Sequence, residues 1–254
     1  MSKVLITGGA GFIGSQITKK LLDMGHQPII FDIFAQYISP LDEGYKESRY
    51  DRFKEISDKI IIERGNVSHY GTVMKVLSKH KPEYIIHLAA IPLAKLQNAT
   101  VHEGLEGAVI STSYILETLE DMMKSGVLPS FKKFVYASSS MVYGNFESSV
   151  ISETHPTNPI NIYGTVKLAG EKVTAGLCRT YDIPYNIVRP SAVYGPTDIN
   201  RRVSQIFIDN ALKIFTQSSA ISLREYGTLG LSIFFGNLSL EKEYFQIKLI
   251  SSTL

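Results

Sequence analysis

The stretch Thr7-Gly8-Gly9-Ala10-Gly11-Phe12-Ile13-Gly14 constrains the fold of this chain more than any other. A short apolar strand pattern, Val4-Leu5-Ile6, runs into it. A helical pattern leaves it, with Phe12, Ile17, Leu21 and Leu22 on one side and Lys19, Lys20 and Asp23 on the other. A strand that turns through glycines into a helix N-terminus is an anion site, because backbone N–H groups point outward there and the helix dipole favours negative charge. In this Gly-x-x-Gly-x-x-Gly spacing, Gly8 takes a backbone conformation that a Cβ penalises. Gly11 lets a pyrophosphate approach the main chain, and Gly14 lets helix pack on strand. A glycine triplet alone says little, since many glycine-rich turns bind nothing.

Asp32 gives the triplet its meaning. It closes a second apolar run, Pro28-Ile29-Ile30-Phe31, with Ile33 after it. An acid roughly 20 residues past the glycines accepts hydrogen bonds from an adenosine ribose and repels a 2′-phosphate. The pair predicts NAD in preference to NADP.

Composition fits one large α/β domain, or a domain with a small lobe: 254 residues, 44% hydrophobic and 20% charged. A formal net charge of +2 gives no reason to expect nucleic acid or an acidic membrane. The single Cys178 forbids an internal disulfide and lies in a helical run, which predicts a buried or half-buried thiol in preference to a reactive one. No apolar window is long enough to cross a bilayer, and Met1-Ser2-Lys3 leads straight into a strand, so the expectation is a cytoplasmic protein without a signal peptide. No metal site is expected.

Further along, residues 35–58 are polar and tyrosine-rich, with a short helix pattern near 47–56. Lys59-Ile60-Ile61-Ile62-Glu63-Arg64 reads as a third strand, followed by Gly65-Asn66-Val67. Asn66 fits two roles equally, a contact to an adenine amino group or a plain turn residue. A helix is predicted over Tyr70–His80, ended by Lys81-Pro82. Tyr84-Ile85-Ile86-His87-Leu88-Ala89-Ala90 is a fourth strand, buried on both faces, whose small Ala89 and Ala90 let a flat cofactor pass close by. His87 reads as structural. A long helix is predicted over 104–125 and a fifth strand over Phe131-Lys132-Lys133-Phe134-Val135-Tyr136-Ala137. Alternating strands and helices predict a Rossmann-like, doubly wound parallel sheet with helices on both faces.

The chemistry sits in two places that must meet. One is Ser138-Ser139-Ser140 after the fifth strand, and the other is Tyr163-Gly164-Thr165-Val166-Lys167 opening a helix after 155–159. Tyrosine and lysine four apart share a helix face. A phenol with an ordinary pKa near 10 is a poor base at neutral pH, and a neighbouring ammonium favours its phenolate. Ser139 can share the transferring proton with a substrate oxygen.

At these residues the chain resembles the extended short-chain dehydrogenase/reductase family, in its nucleotide-sugar epimerase/dehydratase branch. The matching features are Gly8/Gly11/Gly14, Asp32, Gly65-Asn66-Val67, His87-Leu88-Ala89-Ala90, Ser139 with Val142-Tyr143-Gly144, Tyr163/Lys167, and Val188-Arg189-Pro190 with Val193-Tyr194-Gly195-Pro196. The resemblance implies a tightly bound NAD held by Gly8, Gly11, Phe12, Ile13, Gly14, Asp32, Ile33, Asn66, Val67, Leu88, Ala89, Ala90, Tyr163 and Lys167. It implies Tyr163 as acid/base, Lys167 on the nicotinamide ribose, and Ser139 polarising the reacting hydroxyl. It also implies a homodimer through the helices at 104–125 and 161–182, where Tyr114, Leu116, Val173 and Leu177 exceed one buried face.

The departures narrow the activity. Members that eliminate water are similar to one another in an Asp-Glu pair after the serine or threonine, where this chain has Ser140-Met141. That favours redox at one carbon, as in a 4-epimerase acting on a nucleotide-diphosphate sugar. Ala108 stands where the family places an asparagine, ahead of Ser111-Thr112 in place of Gly-Thr, and Val166 stands where a serine is usual. Residues 201–215 still read as a helix, but 216–254 carry neither the Gly-Asp-Gly turn nor the Arg-Asp segment of the family's sugar lobe. The reading is therefore an NAD-binding domain over 1–190 with a short, partial substrate lobe over 191–254. The alternatives are a dehydratase or reductase of the same family, and a truncated, non-catalytic NAD-binding protein.

Overall fold

The computed structural model describes residues 1–34, 51–90, 100–146, 151–191 and 193. All but Val193 fall within the first of two compact units, which takes in Met1–Ser191. Six strands, β1 (Lys3–Thr7), β2 (Gln27–Asp32), β3 (Ile61–Arg64), β4 (Tyr84–His87), β5 (Lys133–Ala137) and β6 (Tyr185–Val188), form one sheet in the order β3-β2-β1-β4-β5-β6. Every neighbouring pair is parallel. The order reverses between β1 and β4, and a crevice opens at the carboxyl ends of strands where that happens.

The helices are α1 (Phe12–Asp23), α2 (Tyr70–His80), α3 (Val101–Leu105), α4 (Ser111–Lys124) and α5 (Ile162–Thr180). Period-2 alternation sorts the strand side chains between two cores. Leu5, Ile29, Phe31, Ile85 and Phe134 join Val73, Leu77, Ile115, Leu119 and Cys178 on the face covered by α2, α4 and α5. Ile30 joins Ala10, Phe53 and Ile60 on the other face, with Leu22 of α1 against them. The doubly wound sheet expected from the sequence is the fold found.

Several elements differ from the expectation in instructive ways. In α1 the buried residues are Phe12, Gly14, Ser15 and Thr18, while Ile17 and Leu21 are only half-buried. Small residues let this helix lie close, and Thr18 returns its hydroxyl to Gly14 O at 2.8 Å. Gly14 abuts Gly8 and Gly9 of the turn, not the strand, since a Cβ there would come within 2.6 Å of Gly9 Cα. The helix pattern at 47–56 reduces, within the described residues, to a 3-10 turn at Asp51–Phe53. β6 was not read from the sequence at all.

The long helix expected over 104–125 is broken by a π-helical segment, Glu106–Ile110, so that Ser111 N–H bonds Glu106 O five residues back. Such a segment leaves carbonyls poorly paired. Hydroxyls complete them here. Ser68 Oγ donates to Glu106 O at 3.2 Å, Ser111 Oγ to Gly107 O at 2.8 Å and Thr112 Oγ1 to Ala108 O at 2.7 Å. Ser111-Thr112, a departure from the family pattern, thus serves the local backbone.

Of the four positions singled out for a dimer face, Leu116 is wholly buried in the core of its own chain. Tyr114 packs edge-on against Tyr70, and Val173 and Leu177 are half-buried. The surplus of apolar positions is therefore smaller than the sequence suggested. Residues 35–50, the helix expected at 201–215, and Tyr194, Gly195 and Pro196 lie outside the described residues.

Cys178 is wholly buried on α5, and burial pushes its thiol up to about 12. A thiol-disulfide reagent at neutral pH should leave the folded protein unlabelled and label Cys178 fully in denaturant, read by absorbance of the released thiolate. Rapid labelling of the native chain would contradict this packing.

Candidate active site

The glycine turn closes as the sequence requires. Gly8 has φ +67°, a region that side chains rarely adopt, and a Cβ there would also come within 2.8 Å of Ala89 N. The turn is thereby seated against the end of β4. Gly11 is the N-cap of α1, with no side-chain cap and no acidic residue in the helix's first turn. Among the described residues a Cβ on Gly11 would meet only Gly8 O, at 3.1 Å. The helix end faces no carboxylate of its own first turn, which fits a pyrophosphate. Phe12 is buried, Ile13 half-buried and Ile33 exposed.

Asp32 is 5% exposed at the end of β2 and braces the turn. Its Oδ2 accepts from Ala10 N–H at 3.0 Å and its Oδ1 from Phe34 N–H at 2.7 Å. Ala10 is held from its other side by Arg52, whose Nη1 donates to Ala10 O at 2.8 Å. Arg52 was not singled out from the sequence. It is a buried arginine in a polar segment without periodicity, and its contact with Ala10 spans 42 residues of sequence.

Asn66 Oδ1 accepts from Ser68 N–H at 2.9 Å, the geometry of a turn residue. Val67 is in the core, and Leu88, Ala89 and Ala90 are half-buried beyond β4. Between the two strand ends runs a hydrogen-bond chain with a readable direction. Ser111 Oγ gives its proton to Gly107 O, so it must accept from His87 Nε2 at 3.2 Å. His87 Nδ1 is then the acceptor for Thr7 Oγ1 at 2.6 Å, and Thr7 Oγ1 accepts from Ala89 N–H at 3.2 Å. His87 is neutral in this arrangement. Burial first, then the Lys167 charge, lowers its pKa to about 3. The histidine is structural, as read from the sequence.

The α5 face that carries Tyr163 and Lys167 reaches the end of β5 through Lys167, two residues before Ser139. Asn161 caps α5, accepting from Gly164 N–H at 2.8 Å. The first turn of α5 lies against the 3-10 turn Ser140–Tyr143, so closely that a Cβ on Gly164 would strike Met141 O. Glycine next to Tyr163 is what permits this approach. Ser139 is 8% exposed and its Oγ accepts from Met141 N–H at 3.2 Å, leaving the hydroxyl proton to donate elsewhere. Tyr163 is half-buried at the start of α5. Lys167, 5% exposed, donates to Ala137 O at 2.7 Å and lies 5.3 Å from the centre of the Tyr136 ring. Burial lowers its pKa to about 8, against the raising influence of Glu171. Among the described residues no group of three His, Cys, Asp or Glu could hold a metal ion, and no helix is long and apolar enough to cross a membrane.

These features agree with comparisons to known proteins. Residues 4–229 match the model of the NAD dependent epimerase/dehydratase family, and the chain belongs to that family. It is similar to a UDP-glucose 4-epimerase of Mus musculus, 32% identical over 190 residues that make up 74% of this chain and 52% of the relative. A dTDP-D-glucose 4,6-dehydratase of Dictyostelium discoideum is 27% identical over 226 residues, 82% of this chain and 48% of that protein. Among solved structures, the UDP-glucuronic acid 4-epimerase of Bacillus cereus in complex with NAD aligns with a TM-score of 0.69 at 25% identity, over 83% of this chain and 63% of its own. The chain thus spans about half the length of the curated relatives it matches.

A buried lysine with a lowered pKa weakens the fold. Below about pH 8 both folded and unfolded chains carry the ammonium, and its burial costs free energy. From about 8 to 10.5 only the unfolded chain binds the proton, so stability rises with pH there and the penalty fades. Lys167→Met is therefore expected to raise stability at pH 7 by about 1–3 kcal/mol, with the gain vanishing above pH 10. Denaturant melts of both chains at several pH values check this, and equal stabilities at pH 7 would contradict it.

Proposed function

We propose that this chain is the cofactor unit, with the catalytic residues, of an NAD-dependent nucleotide-sugar 4-epimerase. The observation that supports the reading is that Lys167 of α5 bonds Ala137 O, two residues before Ser139, while Gly164, next to Tyr163, packs on the turn that follows Ser139. Gly8, Gly11, Phe12, Ile13 and Gly14 would hold the pyrophosphate, with Asp32 and Ile33 at the adenosine ribose. Asn66 and Val67 would flank the adenine, and Leu88, Ala89 and Ala90 the dinucleotide's path across β4. Residues 191–254 are assigned to the sugar lobe, and the assembly to a homodimer, in a cytoplasmic setting.

Bound NAD supplies the hydride acceptor and donor at sugar C4. The protein's own work is proton movement and orientation. Tyr163, as phenolate, takes the proton of the sugar 4-hydroxyl while Ser139 hydrogen-bonds the same oxygen. The 4-keto sugar turns over in the site, and Tyr163 returns the proton when the opposite face has been reduced. Lys167 stabilises the phenolate by charge and binds the nicotinamide ribose. Ser140-Met141 stands where elimination would need acids, and Met141 is 39% exposed with no carboxylate to offer. Redox at a single carbon remains.

Two measurements test the reading. The protein should bind NAD well ahead of NADP, and Asp32→Asn should narrow that preference. The asparagine keeps an acceptor for one of the two turn amides and removes the charge that repels a phosphate. Equal affinity of the unaltered chain for both cofactors, by calorimetry, would contradict it. A panel of UDP-, GDP-, CDP- and dTDP-sugars should yield an epimerised product without added NAD. Tyr163→Phe should reduce turnover about 10²–10⁴-fold with NAD still bound. Near-normal turnover in Tyr163→Phe, or no product from any sugar, would overturn the assignment.

A further inference from the structure

Behind Ser139, Tyr163 and Lys167 lies a layer of charge that the proposed chemistry does not use. Glu171, one turn beyond Lys167 on α5, is 4% exposed. A carboxylate at that depth is costly unless its oxygens are met. Arg189, just past β6, donates Nε to Oε1 at 2.8 Å and Nη2 to Oε2 at 2.7 Å. Ser138 Oγ, from the end of β5, also donates to Oε1. The remaining Arg189 Nη1 reaches Tyr143 Oη at 2.9 Å, with the guanidinium 4.8 Å from the centre of that ring.

The face of α5 that carries Lys167 and Glu171 therefore meets two consecutive residues of the strand end. Lys167 bonds the carbonyl of Ala137, Glu171 the hydroxyl of Ser138, and Ser139 follows. The bond Lys167 makes is to a neutral carbonyl, so its charge is not matched by that partner. Among the described residues, the groups on the other elements around it do not supply a negative charge either. His87 from β4 is neutral, Tyr136 from β5 offers its ring, and Tyr143 is tied to Arg189. The π-helical segment brings buried Gly107 and Ala108, and on α4 Glu117, Asp121 and Lys124 are exposed while Glu120 pairs with Lys124. Tyr163 lies one turn earlier on α5, and Arg189 adds a positive charge. The carboxylate acting on Lys167 is Glu171, which raises its proton affinity against the effect of burial.

We propose that Glu171 is a positioning residue of this site: it keeps the Lys167 ammonium charged and, through Ser138, seats the strand end that bears Ser139. The proposal rests on the role given above to Lys167, but its test reads Lys167 directly and needs no turnover. The full chain is prepared with 13Cε-lysine, the Lys167 signal is assigned by its loss in Lys167→Met, and its titration is followed by NMR. Glu171→Gln is expected to lower the Lys167 midpoint by about one unit or more, from removal of one charge a helical turn away. A site merely loosened by the substitution would admit water and move the midpoint upward, toward the ordinary lysine value. Should Glu171→Gln not fold, Glu171→Met combined with Arg189→Met leaves neither partner buried and unpaired, and the midpoint is again expected to fall. An unchanged or raised midpoint in whichever variant folds overturns the proposal. Absence of sugar turnover would count against the epimerase reading and leave this result untouched, and the converse holds equally.

Discussion

The tie between Thr7 and His87 is the interaction on which the rest of the site depends. The two residues are register partners at the last rung of β1 and β4, where the chain leaves the sheet in two directions. One exit is the glycine turn into α1, the other is Leu88-Ala89-Ala90. Parallel strands that part in this way need something to hold the fork at a fixed width. Here Leu88 N–H bonds Thr7 O at 3.1 Å, and the Thr7 hydroxyl joins Ala89 N–H to the imidazole. The imidazole in turn reaches Ser111 at the junction with α4, so the fork, the π-helical segment and α4 are one hydrogen-bonded unit.

The second half of the site depends on how closely α5 can approach the end of β5. The approach is set by Gly164 against Met141 at the first turn of the helix and by the buried polar contacts further along it. Charge is placed in a dry interior at a cost in stability. The functional face of α5 and its most costly residues are the same. The chemistry proposed for this face and the stability of the fold therefore pull against each other there.

What the sequence disclosed follows from what is local. Glycine spacing, the acid at the end of β2, the apolar runs of β1, β2, β4 and β5, and Tyr163/Lys167 are all written in contiguous or near-contiguous residues. The parts that escaped depend on partners remote in sequence. Arg52 is meaningful only beside Ala10, and Glu171 only beside Ser138 and Arg189. β6 is the outermost of the described strands on its side, and its Tyr185-Asn186-Ile187-Val188 is half-buried throughout, without the apolar continuity of the inner strands. Leu116 exceeds the face expected to be buried because α4 buries a wide stripe that takes in Ile115, Leu116, Leu119 and Met122 together. The helix over 104–125 is also interrupted, by the five-residue hydrogen-bond step at Glu106–Ile110.

The same step has a consequence for how this chain can vary. Each residue of an α-helix turns the direction of its side chain by about 100°, so one extra residue normally swings everything after it onto a different face. A π-helical step takes up one residue as a local widening. The segment from 101 to 105 and the segment from 111 to 124 therefore keep their own faces against the protein, as if the additional residue were stored between them. Length changes of one residue, which would scramble an uninterrupted helix, can at this place be lost or regained while α4 stays seated on the sheet.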